Sequence, residues 1–411
     1  MKNLLRNKAF LTLTSVDLFE TIGMSLFNII LLTYARTFAQ AHLMVSLVSI
    51  ATVLPGIFGI VTGQIADRTK NKRFWLAFTK FTQALLYLLL AQLINQKQVF
   101  ILLIIIAINI VSDLLGMYNN GLTMPIIQQK IDENEQEQAI GVNSGILTIM
   151  QTVGQAIGIS LLAITKDYQL AGYVNAATFL IAGIIVLVGY QNLTVKEEKK
   201  TAPSAKRLLR QMKQTLEASA DINAWGLIGS IFFINAVGSS LDAIINLYLV
   251  DQARYLPFSF SVSVFVINTV LVVGQISGSV LHSGWFKKLS FKSVMITCVV
   301  SWIIFYLDLL NNFNSFTIVI ITMAIGGFCM GQANPKLTAA LLKTAEPDII
   351  GSLTGLMNTI SIISMPLGTI GLVLLYNLVN PASSYIVSML LLGCSVICLF
   401  IPQKSVKTEL N

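Results

Sequence analysis

The sequence predicts an all-α membrane protein of twelve transmembrane helices in two pseudo-symmetric six-helix bundles, and three observations carry that prediction. The 411 residues are 55% hydrophobic and only 11% charged, with a mean hydropathy of +0.75, which is too apolar for a soluble globule. Apolar runs long enough to cross a bilayer recur along the whole chain. The glycine and proline spacing of the first half returns in the second.

The runs, bounded by charge or turn residues, fall at about 9–36, 44–66, 74–94, 99–124, 139–165, 169–191, 224–250, 259–281, 293–310, 316–342, 352–378 and 383–402. The first follows a short basic N-terminus and is expected to be a retained span, not a cleaved signal. It also holds two carboxylates, Asp17 and Glu20. At ~1.5 Å rise per residue they lie roughly 12 and 16 Å in from Ala9, too deep to reach headgroup water. Their helix face continues through Thr21, Met24, Phe27 and Asn28, so this span is expected to line a wet cavity. Span three carries Lys80, and span four carries Asp113 at nearly the depth of Asp17. Asp242 in span seven reads as a rim residue and Asp308 as a span end. Among the neutral polar residues Asn109 and Gln151 are expected to bridge helices and Asn235 to line the cavity.

Of the 27 Lys and Arg residues, all but Lys80, Arg36, Lys97, Lys166 and Arg254 fall in alternate loops and at the chain ends. By the positive-inside bias both termini are cytoplasmic, and the chain is a multi-pass protein of the bacterial cytoplasmic membrane. The same distribution accounts for the net charge of +8 without nucleic acid.

Domains are expected at 1–191 (N-terminal bundle), 192–223 (cytoplasmic linker) and 224–411 (C-terminal bundle with a short tail). Within the linker Lys206, Arg207, Arg210 and Lys213 alternate with Leu208, Leu209, Met212 and Leu216, as in a helix lying on the membrane surface. The acidic patch Asp132 to Glu137 reads as a solvated loop. At an offset of 210, Gly116, Gly121, Pro125, Gly141, Gly145 and Gly158 fall on Gly326, Gly331, Pro335, Gly351, Gly355 and Gly368. At 215, Gly59 and Gly63 fall on Gly274 and Gly278, Asp67 on His282 and Glu20 on Asn235. Two parallel repeats joined by a linker are the architecture of a rocker-type secondary transporter, with its substrate site near mid-membrane.

Span two ends in Gly63-Gln-Ile-Ala-Asp67-Arg68 followed by Lys70, Lys72 and Arg73. In this setting the string resembles the loop signature of the major facilitator superfamily, with Lys70 in place of a usual second glycine. The resemblance spans essentially the whole chain. It implies the major facilitator fold, with Gly63, Asp67, Arg68, Lys72 and Arg73 as a conformational latch between the halves. Gly145, Gly154 and Gly158 in span five can bring helices close together. They look like the glycine motif of the family's drug-proton antiporters, although Ile159 stands where that motif has proline. Gly351 through Gly371, with Ser364-Met-Pro366-Leu-Gly368, is similar to span eleven of macrolide-efflux-type bacterial exporters.

These observations together predict a secondary active transporter that exports a lipophilic, cationic, drug-like compound in exchange for protons, a multidrug-efflux role in antibiotic resistance. Carboxylates at one depth in a poorly solvated cavity cannot all ionise, which makes Asp17, Asp113 and Glu20 the proton-coupling candidates. Substrate contacts are expected from Glu20, Met24, Phe27, Asn28 and Asn235, with Phe19 nearby. The alternative is that Lys80 neutralises Asp17 or Asp113 in a fixed structural pair. Alternative functions are an uptake permease for a small polar solute and a non-transporting membrane sensor. The expected partners are a small-molecule substrate, protons and the lipid bilayer, with no nucleic acid and a monomeric state. Cys298, Cys329, Cys394 and Cys398 lie in apolar runs, so no metal and no cofactor is expected. Without a nucleophile-base pair or phosphate loop, the chain is not expected to be an enzyme.

Overall fold

The computed structural model describes residues 4–195, 223–252, 256–281, 289–311, 313, 315–344 and 350–402. The side chains of Asp67, Glu133, Glu137 and residues 350–362 are outside that description, as are most of the linker, His282 and Arg254. The linker-helix expectation and the second-half copy of the basic loop therefore lie outside the described residues.

The first half runs as α1 (Lys8–Arg36), α2 (Ala41–Val53), α3 (Gly59–Arg68), α4 (Lys72–Leu93), α5 (Val99–Lys130), α6 (Glu133–Thr165) and α7 (Tyr168–Val188). The second runs as α8 (Ala224–Asp251), α9 (Phe260–Val280), α10 (Phe291–Leu310), α11 (Phe316–Thr344), α12 (Ile350–Leu378) and α13 (Pro381–Leu399). Among the described residues eleven spans, with α2 counted through Phe58, are long and apolar enough to cross a membrane, and Ile363–Leu378 of α12 is a shorter apolar helix. The chain is thus an all-helical multi-pass membrane protein.

Three departures from the sequence reading have local causes. Span two breaks between α2 and α3 into a 3₁₀ turn, Leu54–Phe58, because Pro55 lacks an N–H and its ring crowds the preceding turn. Span four does not stop at Pro125 but continues to Lys130. The acidic patch is not a loop. Asp132 is the N-cap residue of α6, and the chain from Glu133 onward forms its opening turns, where the helix dipole favours acidic residues.

The chain forms two compact units. One comprises Met1–Lys199 with Leu249–Ala253 and Phe258–Phe265, and the other Lys200–Tyr248, Arg254–Pro257 and Val266–Asn411. In the first unit α1 packs along α6 and α7, and α4 packs along α7 and α5. Ala9, Leu13, Val16, Leu76, Leu122, Ile126 and Val186 form one buried apolar cluster there, and Phe19 packs against it. The short segments from α8 and α9 join this unit through polar and cation-π contacts. His42 Nε2 lies 2.7 Å from Asp251 Oδ1, Thr33 and Ser261 share a 2.8 Å hydroxyl hydrogen bond, and Arg36 sits 4.9 Å from the centre of the Phe260 ring.

Close approach around α1 depends on glycine. A Cβ at Gly154 would lie 2.5 Å from the Ile22 carbonyl oxygen, and one at Gly158 2.8 Å from that of Leu26. Gly23 is closed in by the side chains of Thr178 and Asn175 of α7. Gly145 does not share this approach, since nothing lies within 4 Å of its Cβ position. In the second unit Gly326 and Gly238 make room for the buried Trp302 indole of α10. Gly154→Ala should therefore destabilise the protein by about 1–3 kcal/mol through overpacking. Gly145→Ala should be neutral or stabilising by up to about 1 kcal/mol, from helix propensity alone. Thermal unfolding of the two purified variants beside the wild type separates these outcomes.

Candidate functional site

The interior of the first unit contains a lysine that an apolar bundle would not bury alone. Lys80 on α4 is 1% exposed, and its ammonium lies 2.5 Å from Glu20 Oε2 on α1. The same ammonium reaches Gln83 Oε1 at 3.4 Å and sits 5.8 Å from the centre of the Phe179 ring. Lysine thus neutralises neither Asp17 nor Asp113, as the sequence had allowed, but Glu20. Helix spacing decides this: α1 and α4 share α7 as a common neighbour, and the long lysine arm spans the remaining gap.

A hydrogen-bonded scaffold of α4 and α5 residues holds that pair. Gln83 donates to the Ser112 carbonyl at 3.0 Å and its hydroxyl at 3.2 Å, and Asn119 donates weakly to Gln83 Oε1 at 3.5 Å. Thr79 donates to Asn119 Oδ1 at 2.6 Å. Thr79, Gln83, Ser112 and Asn119 are all buried. In a low-dielectric interior such a network fixes its members strongly because an unmade hydrogen bond is costly there. Sequence reasoning missed all four. For Thr79 and Gln83 the signal was a polar stripe on span three, Thr79, Lys80, Gln83 and Tyr87, of the same helical spacing that had singled out span one.

The two other carboxylates border this pair and form no ion pair of their own among the described residues, although Lys80 is in electrostatic reach of Asp17. Asp113 on α5 accepts from Asn109 Nδ2 at 3.0 Å, and Asn109 in turn accepts from the buried Tyr87 hydroxyl at 2.9 Å. Asp113 Oδ1 and Glu20 Oε1 are buried and have no hydrogen-bond partner among the described residues. Asp17 accepts from Asn143 Nδ2 of α6 at 3.0 Å. Glu20, not Asp113, is the carboxylate in electrostatic reach of Asp17, and Glu20 is also in reach of Asp113. Asp17 and Asp113, expected at one depth, are thus each in reach of Glu20. Gly116 of α5 faces Glu20: its Cβ position is 3.4 Å from Oε1, an ordinary contact distance.

Of the expected substrate contacts on α1, Met24 and Asn28 are partly exposed, whereas Phe27 is fully buried. Phe27 meets the Tyr87 ring edge-on at 5.1 Å between centroids, and Tyr87 stacks on Phe179 at 5.3 Å. Phe27 is thus a packing residue: the face that carries Glu20 turns into α4 and α7 by the next turns. In the second unit Asn235 is half-buried. Asn109 bridges helices as expected, and Gln151 is exposed on α6. Asp308 lies at the end of α10 and accepts from the Ser315 N–H at 3.2 Å.

In the basic loop Lys72 Nζ donates to the Ala66 carbonyl at 2.6 Å and the Thr69 carbonyl at 3.2 Å, capping the end of α3. Asn71 between them is left-handed, at φ 50°. Arg73 donates to Thr194 Oγ1 at 2.7 Å and lies 4.2 Å from the centre of the Tyr190 ring. Arg68 is exposed, and nothing lies within 4 Å of a Cβ placed on Gly63. These contacts of Lys72 and Arg73 fall inside the first unit.

Residues 13–286 match the family model described as Major Facilitator Superfamily. No curated protein matches the sequence. Among solved structures, a variant of the peptide transporter POT aligns with a TM-score of 0.71 at 11% identity, over 96% of this chain and 94% of that one. The human organic anion transporter MFSD10 aligns at 0.61 and 12%, over 95% and 99%. A bacterial homolog of the human lysosomal transporter Spinster, inward-facing and unoccupied, aligns at 0.60 and 14%, over 95% and 94%. At these identities the likeness is one of fold.

Removing the lysine alone leaves a buried, unpaired carboxylate. Lys80→Met should therefore destabilise the protein by about 3–5 kcal/mol, whereas Lys80→Met combined with Glu20→Gln should recover most of that loss. A double-mutant cycle of unfolding midpoints checks it.

Proposed function

The chain belongs to the Major Facilitator Superfamily, and on that premise we propose that it is a proton-coupled secondary transporter that exports a lipophilic cation by alternating access. The observation that carries this reading is the charge imbalance inside the first unit. Three carboxylates, Asp17, Glu20 and Asp113, share one ammonium, Lys80, and buried oxygens of Glu20 and Asp113 lack partners. Two acids beyond the ion pair must then be neutralised by something that enters, a proton or a cationic group.

In this scheme Asp113 and Asp17 carry the proton. Glu20, held by Lys80, sets the field that both acids feel. Protonation removes negative charge and weakens cation binding, and by reciprocity a bound cation expels the proton. Cation affinity should accordingly rise as pH rises through the titration of the pair. Met24, Asn28 and Asn235 are proposed to contact substrate, and Gly63, Asp67, Arg68, Lys72 and Arg73 to serve as the latch of the transport cycle. Export, with both termini cytoplasmic in a bacterial cell membrane, follows the basic-loop bias and the resemblance to macrolide exporters. A monomer of this kind would confer resistance to cationic drugs.

The test is tetraphenylphosphonium-driven proton release from proteoliposomes holding the purified chain. Asp17→Asn and Asp113→Asn should each lower the protons released per cation bound, and the double variant should abolish release. Unchanged coupling in both would remove the proton assignment. Accumulation of a small polar solute with no cation response would favour uptake, and no flux of any compound a sensor.

A further inference from the structure

Resting on the proton-coupling reading of Asp113, we infer that Asn109, oriented by Tyr87, is the positioning residue that lets the Asp113 carboxylate give up its proton and take it back. Asn109 and Asp113 lie four residues apart on one face of α5, and Asn109 Nδ2 donates to Asp113 Oδ2 at 3.0 Å. Among the described residues this is the one hydrogen bond that the carboxylate receives, because its other oxygen, Oδ1, is buried without a partner. A donor to the ionised form favours that form, and here a single N–H has that role. The amide has no freedom to turn over. Its Oδ1 accepts from the Tyr87 hydroxyl at 2.9 Å, and the Tyr87 ring is fixed between Phe27 and Phe179. An amide turned the other way would set its carbonyl oxygen against the ionised carboxylate, two acceptors with no proton between them. Tyr87 and Asn109 are each 1% exposed, so neither bond can be handed to solvent.

A bridge made only for packing would be needed wherever these two helices meet, and the second repeat does without it. At the offset of 215 Trp302 stands in the place of Tyr87, and at 210 Val319 and Met323 stand in the places of Asn109 and Asp113. All three are buried where α10 packs on α11, and among the described residues Trp302 Nε1 has no hydrogen-bond partner. The polar chain therefore accompanies the acid, not the helix pair. Asp17 lacks such support: Asn143 Nδ2 reaches it at 3.0 Å, but among the described residues Asn143 Oδ1 has no partner to fix the amide. Of the charged and titratable groups on the helices packed against α5, Glu20 of α1 is in electrostatic reach of Asp113, Lys80 of α4 is paired with Glu20, and Asp17 of α1 is bonded to Asn143. Tyr118 of α5 itself is bonded to Thr69, and the remaining ones on α1 to α6 stand near helix ends. None of them donates to Asp113, which leaves Asn109 as the donor whose loss the carboxylate would feel.

The experiment follows the infrared band of the protonated Asp113 carboxyl, identified as the part of the signal that Asp113→Asn removes, while the purified full-length chain is titrated from acid to alkaline pH. Asn109→Leu should raise the pH at which that band is half lost by about one unit or more, because an N–H donor to a charged group is gone. Tyr87→Phe, which keeps the ring and removes the hydroxyl, should raise it by a smaller amount, about half a unit. In the Asn109→Leu background Tyr87→Phe should add nothing, since Tyr87 acts through the amide. A residue that only held helices together would change thermal unfolding and leave the titration where it was. Should Asn109→Leu fail to fold, Tyr87→Phe alone carries the test, and there an unmoved band overturns the inference. An Asn109→Leu band that titrates with the wild type overturns it too, as does a Tyr87→Phe shift of equal size with and without Asn109, and each of these results leaves the proton-coupling reading standing. A wild-type spectrum without a pH-responsive carboxyl band, or with one that Asp113→Asn leaves unchanged, removes that reading and this inference with it.

Discussion

Burying Lys80 between helices is the constraint on which the first unit depends. An isolated ammonium in an apolar interior costs several kcal/mol, so its position dictates that a carboxylate stand beside it and that polar side chains surround both. Glu20 meets the first requirement at 2.5 Å, and Gln83, Ser112, Asn119 and Thr79 form the buried hydrogen-bonded frame beside the pair. The glycines around α1 belong to the same solution. Gly23, Gly154 and Gly158 bring α6 and α7 to α1. With the ion pair satisfied, Asp17 and Asp113 are left as acids without cations of their own. Their remaining neighbours, Asn143 and Asn109, are neutral.

The two halves share a glycine and proline register yet differ in where they bury charge. At matching glycine positions, Gly116 faces Glu20 at ordinary contact distance whereas Gly326 makes room for the Trp302 indole. On the first helix of each repeat, Phe27 is sealed into an aromatic stack and its counterpart Asp242 is exposed.

Much of the fold was legible because a bilayer imposes a length and an apolarity that a sequence displays directly. The break at Pro55 and the continuation of α5 through Pro125 were not, since both are prolines and only packing decides which one interrupts hydrogen bonding. The opening of α6 was misread because a run of acids resembles a solvated loop until the helix it starts is known. Asp17, Glu20 and Asp113 stood out as charges in apolar runs. Their partners did not, because which helix faces which is a tertiary fact. Lys80 had Asp17 and Asp113 as candidate partners by depth and took Glu20. Phe27 looked like a cavity residue because a stripe on one helix gives no sign of the aromatic rings, Tyr87 and Phe179, that cover it.

The central claim is that the acids beyond the Lys80–Glu20 pair hold an exchangeable proton. Infrared difference spectra of the purified chain between acid and alkaline buffer address it directly, through the carboxylic C=O stretch of a protonated side chain. The account predicts a protonated-carboxyl band that disappears on alkalinisation, is diminished in Asp113→Asn, and is displaced by tetraphenylphosphonium at fixed pH. A spectrum in which no such band responds to pH, or in which the band is unchanged by that substitution and by the cation, would contradict it.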